Sequence, residues 1–218
     1  MKLNLNKTPD KLTVAIIDGC GQLVPGGKPV FVRRHAAPGA LVNKCTLNVR
    51  QYLVDHPGTM LLGWDVAVWD HVLLDCIGHA VVETDGDILC VSPSKYGETS
   101  LLFVPDERIR FDFDNPMARM PSKQIALTHK PEVQRFIDIA ATESAIKIKY
   151  PVSAGQIAIR GEDAINLQEL AREKQPLLLR ILLSTTSPGG ACFCGSGKKF
   201  RTCCKTNLER TVSGSSSL

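Results

Sequence analysis

Half of the eight cysteines of this 218-residue chain lie within thirteen residues near its C-terminal end. They are Cys192, Cys194, Cys203 and Cys204, in the order C-x-C-x8-C-C. Four thiolates can enclose a zinc ion tetrahedrally, and such a closed site is structural because no position is left for water or substrate. Two adjacent cysteines do not easily serve one disulfide, so the pattern favours a metal site over a disulfide-rich tail.

The segment between the two cysteine pairs has a composition suited to a tight, positively charged loop. Gly195-Ser196-Gly197 permits a sharp turn, because glycine reaches positive φ without a Cβ clash. Lys198, Lys199 and Arg201 follow directly. Four thiolates around one Zn²⁺ would carry a charge of about −2. We therefore predict these three basic side chains as the contact edge of the metal site.

These residues together closely resemble the SEC-C motif, the short zinc-binding element at the C-terminus of the SecA translocation ATPase. The motif also occurs as an appendage on many otherwise unrelated bacterial proteins. The matching residues are Cys192, Cys194, Gly195, Ser196, Gly197, Lys198, Lys199, Phe200, Cys203 and Cys204. Ala191 stands where the family often has proline, and the resemblance covers only about residues 188–205. It implies bound zinc and docking to a partner. No G-x-x-x-x-G-K-[ST] signature is present, so the chain is not SecA itself.

Charge is concentrated at the same end of the chain. The net charge is +4, and the residues from Thr185 onward carry five basic side chains and one acidic one, which leaves the preceding body neutral. A basic tip of this kind predicts a partner protein with an acidic surface, or RNA phosphate, although a merely solvated tail has the same composition. Only Phe193 and Phe200 interleave with the basic residues, which is little material for stacking on bases.

The remaining features indicate a cytoplasmic protein. The first residues, MKLNLNKTPDKL, lack the apolar run of a signal peptide, and no stretch approaches the length of a membrane span. Cys20, Cys45, Cys76 and Cys90 are scattered without the spacing of a disulfide framework. Their distribution fits a reducing compartment.

Composition predicts four segments. Residues 1–184 form the body, and 185–190 form a linker because they are polar, rich in Pro and Gly, and aperiodic. Residues 191–205 form the zinc-binding motif. Residues 206–218 end in SGSSSL and are predicted to be disordered.

The body is predicted to be α+β, with an early helix, an antiparallel sheet and C-terminal helices, followed by the small zinc knuckle. Asp85-Gly86 lies between two runs of β-forming residues and indicates a hairpin. The predicted strands are 12–18, 29–33, 60–69, 72–83, 87–92 and 100–104, and the predicted helices are 45–55, 131–149 and 162–183, the last interrupted near Pro176.

A possible catalytic site lies in the body. Cys45 begins a predicted helix, whose dipole favours a thiolate, and His79 lies on a predicted strand from which an imidazole could take the thiol proton. The segment from His79 to Pro93 faintly resembles the His-to-Asp hairpin of transglutaminase-like and papain-like folds. In those families the third member is an Asp directly before a proline, and here that position is Ser92. Serine accepts a hydrogen bond from the ring but supplies no negative charge.

Three functional interpretations follow. The preferred one is a zinc-stabilised knuckle that docks onto a partner protein, and in this interpretation the chain is not an enzyme. The second is a cysteine hydrolase or acyltransferase that uses Cys45, His79 and Ser92, with the knuckle as its targeting handle. The third is an RNA or ribosome contact through the basic tail.

Overall fold

The computed structural model describes residues 5–115, 117–153 and 156–214. Within-chain contacts divide the protein into two units. The sheet unit comprises Lys7–Val68 and Leu74–Leu127, and the helical unit comprises Met1–Asn6, Trp69–Leu73 and Thr128–Leu218. The predicted α+β class is confirmed, because a sheet with an early helix is followed by helices and then by the cysteine cluster.

The sheet unit contains two helices and six strands. They are α1 (Val14–Leu23), β1 (Val30–Arg34), α2 (Cys45–Asp55), β2 (Thr59–Trp69), β3 (Leu73–Thr84), β4 (Asp87–Cys90), β5 (Ser100–Pro105) and β6 (Ser122–Ala126).

Five of the six strands form a ring. The strand order is β2-β5-β1-β4-β3-β6, and β2 also pairs with β3, which joins the two ends of the first five strands. The strand pairs β1–β5, β2–β5 and β3–β4 are antiparallel, whereas β1 and β4 are parallel, with Arg33 opposite Leu89. A closed ring leaves fewer unpaired backbone groups at strand edges than an open sheet does.

Strand β5 is buried on both faces. Along β5, Leu101 and Phe103 belong to one apolar cluster, and Leu102 and Val104 belong to another, as the two-residue alternation of a strand requires. The Leu102 cluster includes side chains of α1 and therefore lies outside the ring. The Leu101 cluster, on the opposite strand face, fills the inside; its members are Val32, Val81, Cys90, Leu101 and Phe103.

The first element differs from the prediction. Residues 12–18 were expected to form a strand, but Val14–Leu23 is a helix. The Oγ1 of Thr13 accepts a hydrogen bond from the Ile16 N–H and caps the helix. Ile16, Cys20 and Leu23 recur at helical spacing and are all buried in the outer cluster. Helical packing against the sheet therefore prevails over the β-branched composition of the first residues.

The hairpin predicted at Asp85-Gly86 is confirmed. Thr84 pairs with Asp87, and the two turn residues have φ of 50° and 85°. Both values lie in the left-handed region required by the turns that best match the twist of a two-residue hairpin. This turn sets the register between β3 and β4. It therefore also determines where the polar side chains of these two strands lie inside the ring.

The helical unit is built on an antiparallel pair of helices, α3 (Pro131–Ile148) and α4 (Glu162–Thr185). Arg135 of α3 forms a two-bond ion pair with Glu173 of α4, at 2.6 and 2.7 Å. The interruption predicted near Pro176 is absent, since α4 continues through that residue. The short hairpin β7 (Val152–Ser153) and β8 (Gln156–Ile157) belongs to the connection between the helices.

A buried carboxylate organises one end of the sheet unit. Asp106 is 4% exposed and accepts hydrogen bonds from Trp64 Nε1 at 2.9 Å and from the Arg108 side chain at 2.7 and 2.8 Å. Arg108 also donates to the Leu23 carbonyl at the end of α1. The Arg108 hydrogen bonds, with the Trp64 indole, lower the pKa of Asp106 to about 2. One ionised side chain thus links the end of β5 to β2 and α1.

The substitution Asp106→Asn keeps the side-chain shape and one acceptor oxygen but removes the charge. We expect it to reduce the free energy of unfolding by about 2 kcal/mol at pH 7, because hydrogen bonds to charged groups contribute roughly 1.5–3 kcal/mol. Since the folded pKa is lower than the unfolded value of about 3.9, wild-type stability should be lost as the pH falls through 4 toward 2. Urea denaturation at several pH values measures both effects. The exposed Asp18→Asn variant is the control, and an equal loss in both variants would contradict the assignment.

Candidate metal centre

The loop that carries the four cysteines is held by its own backbone. Pro188 O accepts a hydrogen bond from Arg201 N–H, Gly190 O accepts one from Phe200 N–H, and Lys198 O accepts one from Cys192 N–H at 2.8 Å. Gly195 and Gly197 have φ of 76° and 71°, where a β-carbon would be strained, so the predicted glycine turn is the one that the loop uses. The chain thereby folds back and brings both cysteine pairs together.

The four sulfurs lie at the spacing of a tetrahedral metal site. The Sγ atoms of Cys192, Cys194, Cys203 and Cys204 all lie within 4.8 Å of one another. Cys194 and Cys203 are 3.6 Å apart, and Cys203 and Cys204 are 3.8 Å apart. Four sulfurs each about 2.3 Å from a central zinc would be separated by about 3.8 Å. The spacing of the cluster is therefore compatible with a bound metal ion.

Hydrogen bonding and burial shift the pKa values of two of the cysteines in opposite directions. The hydroxyl of Ser196 lies 3.3 Å from Cys203 Sγ, and hydrogen bonding by Ser196 lowers the pKa of Cys194 to about 6. Burial raises the pKa of Cys204. Cys192 is buried and the other three are half-buried. Thiolates are the form that binds metal, so a metal ion at this site would favour the ionised form of the four cysteines.

The knuckle (residues 188–204) is anchored by apolar side chains. Phe200, in a short 3-10 helix (Phe200–Thr202), is fully buried, and its ring lies 5.5 Å from that of Phe193. The next residues were expected to be disordered, but Lys205–Gly214 forms helix α5, which contacts α4 and buries Leu208. Residues 215–218 lie outside the described residues. The cysteine cluster is thus followed by an ordered helix of the helical unit.

The predicted contact edge is exposed. Lys198, Lys199 and Arg201 all have exposed side chains, and none forms an ion pair within the described part of the chain. Lys205 is partly neutralised by Glu209, 3.4 Å away on the next turn of α5. The loop between the cysteine pairs therefore presents three uncompensated positive charges to solvent.

The residues of the predicted catalytic site lie in the sheet unit, but their contacts differ from the expected ones. The side-chain partner of His79 is Cys90, with Nε2 and Sγ 3.2 Å apart. Cys45, at the start of α2, is half-buried and packs against the apolar cluster that contains Val49 and Ala80. Ser92 accepts a hydrogen bond from Asn48 Nδ2 at 3.0 Å. The structure thus brings His79 together with Cys90, a residue that the prediction did not include.

An ion pair inside the ring extends this polar cluster. Arg34 bonds to Asp65 through Nη2 and to Cys90 Sγ through Nη1, the latter at 3.5 Å. Burial lowers the pKa of His79 to about 3, with a further contribution from the Arg34 charge, and burial raises the pKa of both Cys45 and Cys90. Near neutral pH these groups are an uncharged imidazole and two thiols. The sequence offered one signal for Cys90, its position in the predicted strand 87–92. The structure shows that it lies on the face of β4 that carries the inner cluster.

Within residues 5–115, 117–153 and 156–214, no second group of three or more His, Cys, Asp or Glu side chains is placed to hold a metal ion. In that same part of the chain, no helix combines the length and apolar character needed to cross a bilayer.

The uncharged state of His79 has a measurable consequence. Its proton NMR signals should stay constant between pH 7 and 5 and move only near pH 3. Because an unfolded histidine titrates near 6.5, stability should fall as the pH decreases from 6.5 toward 3, and His79→Gln should reduce that dependence. The signal missing from the His79→Gln spectrum assigns the resonance among the five histidines. A titration midpoint near pH 6.5 would show that the His79 imidazole is accessible to water, and it would contradict the prediction.

Comparison with known proteins gives no relative: no family model, curated protein or solved structure matches this chain. The resemblance to the SEC-C motif is therefore carried by the motif residues themselves, and what the described residues support directly is a four-cysteine cluster able to hold a metal ion.

Proposed function

We propose that Cys192, Cys194, Cys203 and Cys204 bind one zinc ion and that the resulting knuckle is a docking module for a partner protein with an acidic surface. The observation that carries the proposal is the tetrahedral spacing of the four sulfurs, with an exposed basic loop between the two cysteine pairs. Four protein ligands leave no open position on the metal, so the ion supports structure rather than reaction.

The chemistry of the ligands favours zinc. Four thiolates in a tetrahedron suit zinc or iron and exclude the hard ions calcium and magnesium, which prefer oxygen ligands. Zinc compensates the charge of the thiolates and so removes the main cost of packing four ionised sulfurs together.

The basic edge supplies the contact. A zinc–thiolate centre would carry about −2, and Lys198, Lys199 and Arg201 lie in the loop between its cysteine pairs with their side chains exposed to water. Complementary charge at such an edge raises the association rate and selects among partners more than it raises affinity. This fits a module that guides a protein to a partner whose surface is acidic.

Burial couples the knuckle to the helices beside it. Phe200 and Leu208 are buried, and α5 begins directly after Cys204. Without the metal, no ion would hold the two cysteine pairs together, and the loop conformation that buries Phe200 would be less stable. We infer that zinc stabilises α5 and the adjoining end of α4 as well as the loop.

The first test of this proposal is metal content. Purified protein should contain one zinc per chain by elemental analysis, and the variant Cys203→Ser, Cys204→Ser should lose it. The variant Cys20→Ser, Cys76→Ser is the control, since both residues are buried cysteines of the sheet unit, and it should keep the metal. Chelation should also increase protease cleavage within residues 188–214. Iron in place of zinc, or full metal content in the first variant, would contradict the assignment.

The second test concerns the basic edge. Zinc-loaded protein should bind a glutamate-rich peptide, measured by fluorescence anisotropy at low salt, and Lys198→Glu, Lys199→Glu, Arg201→Glu should weaken binding at least tenfold. The control reverses three exposed cations elsewhere, Lys11, Lys28 and Arg172, and should bind as the wild type does. Equal loss in both variants would mean that net charge alone is responsible. Tighter binding to poly(U) RNA with a steep salt dependence would favour the nucleic-acid alternative.

A further inference from the structure

A surface groove in the sheet unit is separate from the knuckle and serves neither of the sites described above. It lies between α2 and the loop that precedes it. Its lining residues are Gly39, Leu41, Lys44, Leu47, Asn48, Arg50, Gln51 and Val54.

The wall of the groove is fixed by one buried side chain. Asn48 is 7% exposed; its Oδ1 accepts a hydrogen bond from Leu41 N–H at 2.9 Å, and its Nδ2 donates to Leu41 O at 2.8 Å and to Ser92 Oγ at 3.0 Å. Gly39 and Asn43 adopt positive φ at the turns of the loop. The loop is therefore held against α2 before any ligand arrives, which lowers the entropy cost of binding.

The groove exposes apolar side chains that a folded protein usually covers. Leu41 is 62% exposed, Leu47 is 50% exposed and Val54 is 69% exposed. On α2, Leu47 and Val54 are seven residues apart with Gln51 between them, so they form one stripe along the outer face of the helix. A grouped apolar surface of this kind, bordered by polar residues, is typical of an interaction site.

The charged side chains of the groove have one sign. Lys44 and Arg50 line it, no acidic residue does, and neither cation forms an ion pair in the described part of the chain. The Arg50 guanidinium lies 4.9 Å from the centre of the Phe113 ring, which restrains it at the rim. The groove thus combines exposed apolar side chains with two positive charges that no acidic side chain of the lining compensates.

We propose that this groove docks an amphipathic helix of a partner protein, with apolar residues on the buried face and acidic residues at the rim. Charge complementarity selects acidic side chains, and the exposed leucine and valine side chains require an apolar partner surface, which a nucleic acid backbone does not offer. The stripe on α2 spans about 10 Å, so two to three turns of a partner helix would cover it. Recognition of a helix in a groove by anchors at i, i+4 and i+7 is a recurrent binding mode. The proposal does not depend on the zinc-binding function.

The probe is a synthetic helical peptide of about fifteen residues with leucines at i, i+4, i+7 and i+11 and glutamates on the flanks. Two peptides serve as controls: a scrambled sequence of the same composition, and a version with lysine in place of glutamate. We expect saturable NMR shift changes confined to residues 39–54 with the first peptide and none with the controls. Changes centred elsewhere, or equal binding of the scrambled peptide, would overturn the proposal.

Paired variants test the two parts of the groove. Leu47→Ser with Val54→Ser should weaken peptide binding at least tenfold, and Lys44→Gln with Arg50→Gln should weaken it and remove most of its salt dependence. Val14→Ser with Ile17→Ser, on the exposed face of α1, is the control for loss of exposed apolar groups and should bind normally. A control variant that binds as weakly as the groove variant would refute the groove, and so would displacement of the peptide by poly(U) RNA. All variants alter exposed residues, and unchanged amide spectra confirm their fold.

Discussion

Hydrogen bonds between β2 and β3 hold five strands of the sheet unit in a ring, and the burial of the side chains inside the ring depends on this closure. Inside the ring, the space is shared by an apolar cluster that includes Val81 and Phe103 and by the polar cluster of Arg34, Asp65 and His79. Outside it, α1 packs against one set of strand residues and α2 against another. If the ring opened, water would reach the ion pair, and the burial that keeps His79 uncharged would be lost.

The sequence predicted most of the strands because their segments are rich in β-branched, aromatic and aliphatic residues and because Asp85-Gly86 is an unambiguous turn signal. It failed at α1, where the four consecutive apolar residues 14–17 fit a strand as well as a helix. Only the burial of Ile16, Cys20 and Leu23 on one face decides between the two. The four-cysteine cluster was predictable residue by residue because its cysteines and turn glycines lie close together in the sequence. The spacing of the sulfurs depends mainly on the conformation of this short loop.

The contacts of His79 were not predictable, because they depend on where a strand ends. β4 stops at Cys90, so Ser92 no longer follows the strand alternation and bonds instead to Asn48 of α2. Cys90, still within the strand, faces the inside of the ring and meets the imidazole. Helix α5 was missed for a related reason: its polar composition indicates disorder, and the buried contact of Leu208 is visible only after folding.

The order of strands in the ring also affects how the chain can fold during synthesis. β1 has both of its neighbours far ahead in the sequence, since Arg33 pairs with Leu89 in one direction and with Ser100 in the other. The hairpins β2–β3 and β3–β4 can form from local contacts, but β1 stays unpaired until β4 has left the ribosome, and its other edge stays open until β5 follows. Pairing over such separations carries a large loop-closure entropy, which makes formation of the ring a late and slow step. Until that step, the apolar residues of β1 are open to other chains, so the period of greatest aggregation risk for this protein ends only when β5 is inserted between β1 and β2.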